Sequence, residues 1–334
     1  MKQYRVGIVG IGTVGAEMVK ILRERKFPVG ELRVMARSER EEIIAGEKCR
    51  VVKAGPEAFD GLDFAFFAGT EGAKGASQMY GWEAVKRGVV VIDNGDDYRM
   101  DPRVPLVIPE INSGALEGHG GFIANPNCST IIALMALGPL HQAAGIRRFV
   151  VSSYQSVSGT GRGAIAELET QLEDLVSGRE PSARVYPHQI ALNVLPRIGS
   201  LKNNLPGYTS EEAKMLFETR KIFGDEDIRV SATCVRVPVY YGHGEAINLE
   251  LKRSLGPEEA RKVLEGAPGV KVVDDVTAEE YPMPLDCAGR DEVLAGRIRP
   301  DESVENGLAL FVAGDNIRKG AALNAVQIAE CLIG

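Results

Sequence analysis

Short apolar runs alternate with helically spaced apolar positions through the first 125 residues. Tyr4-Arg-Val-Gly-Ile-Val9 reads as a strand, and Val14, Met18, Ile21 and Leu22 then recur at helical spacing. Leu32–Ala36, Phe64–Ala68, Val89–Ile92 and Leu106–Ile108 are further strand candidates. Strands separated by helices form βαβ units, and those build a parallel sheet. From about residue 146 the pattern changes. Arg147–Val157, Ile228–Val239, Ala246–Lys252, Val293–Arg299 and Leu308–Ala313 are longer β-rich runs. Fewer helices interrupt them: Gly163–Val176, striped by Ile165, Leu168, Leu172 and Leu175, and Ser210–Phe223. This half is expected to be α+β with a mostly antiparallel or mixed sheet. The last stretch, Lys319–Leu332, has helical Ala/Val/Ile spacing and is expected to return to the first domain.

The chain has 334 residues, enough for about two domains at ~100–200 residues each. The net charge is −7 with no Lys/Arg block, which argues against nucleic acid and anionic membranes as partners. No apolar run approaches the ~20 residues of a membrane span. The N-terminus opens on a strand-like run rather than a signal peptide. Five cysteines (49, 128, 234, 287, 331) show no CxxC pairing, so neither a metal site nor a disulfide framework is expected. A reducing cytoplasm is the expected setting. Segment 177–210 carries several Pro, Gly and Asn residues and is expected to be a long loop, of a kind that often serves function.

Gly10-Ile-Gly12-Thr13-Val14-Gly15 follows a strand and opens a helix. Glycines there permit a tight turn and close approach to a pyrophosphate, and the helix N-terminus offers it free N–H groups. A Rossmann-like dinucleotide-binding domain follows as the expectation. NAD sites usually carry an acid at the end of the second strand, whereas this chain has Arg37 and Ser38 there. That pair suits a 2′-phosphate and favours NADP, although Glu39 stands close by.

Ala124-Asn-Pro-Asn-Cys-Ser-Thr130 places Cys128 where a long apolar run should begin a helix. Ser129 and Thr130 are capable N-caps. A thiol at a helix N-terminus feels the positive end of the macrodipole, which favours thiolate, and nearby N–H groups could hold an oxyanion. Free cysteines are more often packed hydrophobes. The spacing leaves nucleophile and packed residue both open.

The chain resembles the bacterial-type aspartate-β-semialdehyde dehydrogenases. The matching segments are Asn125-Pro-Asn-Cys-Ser-Thr130, Ser153-Tyr-Gln-Ser-Val-Ser-Gly159, Pro187-His-Gln-Ile-Ala191, Arg229–Pro238, Gly242-His-Gly-Glu245, Asp286–Asp291 and Asp315–Asn324, in the family's order. The resemblance implies NADPH-dependent reduction of L-aspartyl-4-phosphate to the semialdehyde with release of phosphate, on the branch toward lysine, threonine and methionine. It implies Cys128 as nucleophile, Gln155 as the group orienting the carbonyl and His243 as general acid/base. Arg236 would clamp the α-carboxylate and Glu211 would meet the amino group. Lys214, Arg99 and Asn127 would bind phosphate, and Ser158, Gly159 and Asn316 would lie near the nicotinamide. Without the resemblance, Glu211 and Lys214 read as a plain i,i+3 ion pair. The implied architecture is α/β: a Rossmann-like dinucleotide-binding domain over 1–127 with the C-terminal helix 317–334, and an α+β catalytic and dimerisation domain over 128–316. A homodimer is implied too.

The chain departs from the family at Asp93-Asn-Gly-Asp-Asp-Tyr-Arg99, where Asp96 and Asp97 bring acid beside a site for a dianionic substrate. A related reductase of N-acetylglutamyl phosphate or a glycolytic phosphate would use the same chemistry; Glu211 and the Arg236/His243 spacing favour a free amino acid. The acidic 95–97 loop also raises a catalytically silent scaffold or regulatory homologue, against which the intact Cys128, Gln155, Arg236 and His243 speak.

Overall fold

Strand β1 (Tyr4–Val9) runs through Gly10 into the helix Thr13–Glu24, as the pattern predicts. The structure, a computed structural model, describes residues 2–69 and 75–334. They fall into two units: the described residues up to Asn127 together with Ala321–Gly334, and Cys128–Gly320.

The first unit holds β1, β2 (Val29–Ala36), β3 (Arg40–Ile44), β4 (Glu47–Lys53), β5 (Phe64–Phe67), β6 (Val90–Asp93) and β7 (Phe122–Ala124). Their order is β3-β4-β2-β1-β5-β6-β7, parallel except for the β3–β4 hairpin. The hairpin turns at Ala45-Gly46, both at positive φ, as a tight two-residue connection requires. Val6, Ile8, Met18, Ile21, Phe64 and Phe66 share one apolar core with Leu323, Val326, Ile328 and Ala329 of the helix Leu323–Ile333. The last helix therefore completes this core.

Leu106–Ile108 is not a strand: only Leu106 bridges, to Ala124. Pro105 removes one amide donor, and Pro109 starts a short helix, Pro109–Asn112, that takes the chain away. The sheet edge is instead β7.

The second unit holds β8 (Ile146–Gln155), β9 (Arg229–Arg236), β10 (His243–Leu251), β11 (Val270–Val272), β12 (Val293–Pro300) and β13 (Gly307–Gly314), in the order β11-β12-β13-β10-β8-β9. The sheet is mixed, with β8–β9 and β11–β12 parallel. The helix Cys128–Ala144 is buried continuously from Ser129 to Leu137 and packs on β8, β10, β12 and β13 and on the helices Ser210–Phe223 and Pro257–Glu265. Segment 177–209 has no helix or strand. It is nonetheless anchored: Glu167 accepts the amides of Arg184, Val185 and Tyr186, and Gln171 Oε1 accepts those of Ile190 and Ala191 at 3.0 Å.

Candidate active site

In the first unit, Gly10 sits at φ +93°, where a side chain is strained, and a Cβ on Gly15 would lie 2.0 Å from the Gly10 carbonyl oxygen. Both glycines are thus dictated by the turn. The helix has no side-chain cap, leaving its first amides, from Thr13 onward, for a ligand. Thr13 Oγ1 is buried without a partner among the described residues. Val14 turns its side chain to the core, so it offers only its backbone. A cleft of about 680 Å³ adjoins this turn, lined by Gly10, Gly12, Arg37, Arg40, Lys53 and Tyr80 among others. Arg40 and Lys53 join Arg37 there because the β3–β4 hairpin carries them, and the sequence reading missed both. Ser38 lies in the exposed turn beside them, its carbonyl accepting from Arg40 at 3.1 Å. An anionic, phosphate-bearing ligand fits this donor set.

Arg99 is buried and donates to the carbonyls of Asn125 (Nε, 2.9 Å) and Asn94 (Nη2, 2.7 Å). Asn127 is also buried. The acidic loop is accounted for in part: Asp97 accepts from Gln78 Nε2 at 2.7 Å and faces Ser77 Oγ at 3.5 Å. Burial pushes the neighbouring Asp93 carboxyl up to about 6.

In the second unit, sheet register gathers the chemistry. Paired strand residues share a face, and alternate residues along a strand return to it. Gln155 pairs with Arg236 across β8–β9, and His243 starts β10 alongside. Cys128 is the first residue of its helix, so Ser129 and Thr130 lie inside the first turn rather than capping it, correcting the sequence expectation. Its Sγ is 3.5 Å from His243 Nε2. A Cβ on Gly320 would stand 3.0 Å from Cys128 Cβ, so glycine there leaves room for this arrangement.

His243 is fully buried at the start of β10. The Ser156 amide donates to its Nδ1 at 3.1 Å. An amide only donates, so Nδ1 accepts, and a neutral ring carries its proton on Nε2, facing the thiol sulfur. Burial, then the Arg236 cation, lowers the imidazole to about 3. The ring is therefore neutral at physiological pH. Ser156 was not singled out from sequence: nothing there distinguishes it from Ser153.

Arg236 donates to the Ser156 carbonyl at 2.6 Å, while its Nε has no partner among the described residues. It stands over Tyr186, 6.0 Å from the ring centre, and helps line a cleft of about 590 Å³ with Tyr186, His188, Leu195 and Arg197. A Cβ on Gly159 would lie 3.1 Å from its Nη1 and 3.5 Å from the His243 ring. Gln155 Nε2 donates to Ser153 Oγ (3.1 Å) and Glu211 Oε1 (3.4 Å). Glu211 and Lys214 pair at 3.5 Å on a helix whose start is fixed by the Thr209–Glu212 capping box. Asn316 Oδ1 accepts from the Gly242 amide at 3.0 Å and from Ser156 and Ser158 hydroxyls. Arg318 is committed to Asp291 at 2.6 Å.

The structure therefore brings Cys128, Gln155, Ser158, Gly159, Glu211, Lys214, Arg236, His243 and Asn316 into one unit, and Gly10–Gly15, Arg37, Ser38, Arg99 and Asn127 into the other.

Two family models match: the semialdehyde dehydrogenase NAD-binding domain over residues 5–119 and the semialdehyde dehydrogenase dimerisation domain over 137–319. The aspartate-semialdehyde dehydrogenase of Aquifex aeolicus is 51% identical, covering 99% of this chain and 98% of its own. That of Bacillus subtilis is 42% identical over 98% and 96%. The crystal structure of aspartate semialdehyde dehydrogenase II from Vibrio cholerae, complexed with ASA, superposes with a TM-score of 0.94 at 42% identity, over 100% of this chain and 99% of that one. With the fold, the glycine turn and the two domain models in agreement, the chain belongs to the aspartate-semialdehyde dehydrogenase family.

Proposed function

We propose that the protein reduces L-aspartyl-4-phosphate to L-aspartate 4-semialdehyde, releasing phosphate, with NADPH as reductant and a thioester on Cys128 as intermediate. The observation that carries this reading is a cysteine at a helix N-terminus, 3.5 Å from Nε2 of a buried, neutral histidine. The Cys128 thiolate attacks the acyl carbon; a C–S bond forms, the C–O bond to phosphate breaks, and phosphate leaves. The His243 Nε2–H is available to the sulfur and then to the oxygen that becomes negative as the carbonyl is reduced. A nicotinamide dinucleotide, when bound, supplies the hydride. Hydride addition to the thioester carbon leaves a tetrahedral oxyanion that the Nε2–H hydrogen-bonds; its collapse gives the aldehyde, breaks the C–S bond and returns the Cys128 thiolate.

Gln155 orients the carbonyl, and Arg236 takes the α-carboxylate on its unpartnered side. Glu211 takes the ammonium; Lys214, Arg99 and Asn127 take the phosphate. Gly10, Gly12, Thr13, Val14 and Gly15 hold the dinucleotide's pyrophosphate, and Ser158, Gly159 and Asn316 serve the nicotinamide end. Arg37 and Ser38, with Arg40 and Lys53 in the same cleft region, supply the charge a 2′-phosphate needs, which supports NADP over NAD. The engagement of Asp97 by Gln78 and Ser77 gives one of the departing acids a role away from substrate. The dimerisation-domain match supports a homodimer, and the chemistry suits the cytoplasmic branch toward lysine, threonine and methionine.

The test is NADP⁺ reduction with L-aspartate 4-semialdehyde and phosphate. Phosphate-dependent turnover is expected. Folded protein that binds NADP⁺ yet does not turn over would refute the reading.

A further inference from the structure

Behind His243, Gln155 and Arg236 lies a second row on the same sheet face. Glu245 pairs with Ser153 across β10–β8, and Ser153 pairs with Cys234 across β8–β9. Glu245 is fully buried, and neither carboxyl oxygen has a hydrogen-bond partner among the described residues. The contrast with other buried carboxylates is sharp. Glu167 takes three backbone amides, Glu212 takes those of Thr209 and Cys234, and Asp315 takes those of Gly289, Ile317 and Arg318. An ionised carboxylate without donors in such a place costs several kcal/mol, so Glu245 carries a proton when the site is empty.

The acid that faces it is Glu211, which has Gln155 and Lys214 to support its own charge. Two carboxyls sharing a pocket do not both ionise. Of the two, Glu245 has burial and the Glu211 charge against it, and both hold its carboxyl well above the ordinary range. The elements around it bring Glu211, Glu212 and Lys214 from the helix Ser210–Phe223, Cys234 and Arg236 from β9, Cys128 from its helix and His243 from its own strand. β13 opposes it with Val312. Among the described residues no hydrogen bond accounts for a carboxyl at this position.

We propose that Glu245 is a positioning residue for substrate selection, a latent second charge behind Glu211 that releases its proton when an α-ammonium group is seated and so strengthens the preference for an amino-bearing aldehyde. This rests on the reading of Glu211 as the ammonium partner. The proton balance is simple: Glu245 COOH becomes carboxylate as the ammonium binds, and the proton passes to the buffer. An aldehyde without the amino group leaves Glu245 protonated.

The test compares L-aspartate 4-semialdehyde with succinic semialdehyde, which lacks the amino group. Glu245→Gln is expected to lower the selectivity between them about 5–10-fold, a size in line with one charge acting at several ångströms, through KM for the amino aldehyde rather than kcat. Glu245→Asp, which keeps the acid, is expected to restore part of it. Unchanged selectivity in Glu245→Gln, when Glu211→Gln reduces it, overturns the role of Glu245 alone. Unchanged selectivity in Glu211→Gln overturns the ammonium reading beneath it. Calorimetry of L-aspartate 4-semialdehyde binding to Cys128→Ala protein, in two buffers of different ionisation enthalpy, keeps Glu245 native and so decides the matter even if its variants misfold. Proton release is expected, and its absence overturns the proposal.

Discussion

His243 and Cys128 show how a residue's neighbours set its chemistry. Amide donation to Nδ1 fixes the tautomer, and burial removes the imidazolium. The unfolded imidazole titrates near 6.5 and the folded one at about 3, so the folded state binds fewer protons between those values. Its stabilising contribution is present above pH 6.5 and is lost as pH falls toward 3. Thermal unfolding of His243→Gln should therefore lose less stability than wild type between pH 6.5 and 4. Glu245 has the opposite sign. Its folded carboxyl is raised above the ordinary 4.5, so its contribution is complete below pH 4.5 and is lost as pH rises. The melting temperature of Glu245→Gln, relative to wild type, should climb from pH 5 to pH 8. Gly159→Ala tests packing at the same site: a methyl 3.1 Å from Arg236 Nη1 displaces the guanidinium, and KM for the amino aldehyde should rise at least about tenfold. A KM equal to that of wild type would show that Arg236 does not need the space.

At the scale of elements, the strands with continuous apolar runs and the glycine turn were legible because their patterns have one structural solution. Three features were not. Leu106–Ile108 has a strand's composition, but its flanking prolines leave it a single bridge. The β3 segment Arg40-Glu-Glu-Ile-Ile44 is mostly charged and lacks a strand's apolar pattern, so the hairpin through Ala45-Gly46 was not read. Glu245 lay outside the expected strand Ala246–Lys252, and it is register against Ser153, not local sequence, that puts it in the interior. The hairpin is what brings Arg40 and Lys53 to the cleft that holds Arg37. Arg40→Ala and Lys53→Ala should each weaken NADP⁺ binding about tenfold by calorimetry while leaving NAD⁺ binding nearly intact. Equal losses for both nucleotides would assign these cations to the pyrophosphate instead.

For the whole molecule, the chain's ends matter most. Leu323, Val326, Ile328 and Ala329 fill the core of the first unit from its far end in sequence. Removing residues 321–334 should leave that unit unable to fold, seen as loss of soluble protein or of nucleotide binding. Family membership and the dimerisation-domain match carry the expectation of a particle of twice 36.0 kDa by light scattering. The resemblance segments were legible because they are the places where register and close packing admit few residues, as at Gly159, Gly320 and Asn316.

The central claim is that Cys128 is acylated. The most direct measurement is mass spectrometry of the protein quenched after exposure to L-aspartyl-4-phosphate without nucleotide. One aspartyl adduct on the Cys128 peptide, released by hydroxylamine and absent in Cys128→Ser, is the result this account predicts. An unmodified Cys128 in protein that still turns over would contradict it.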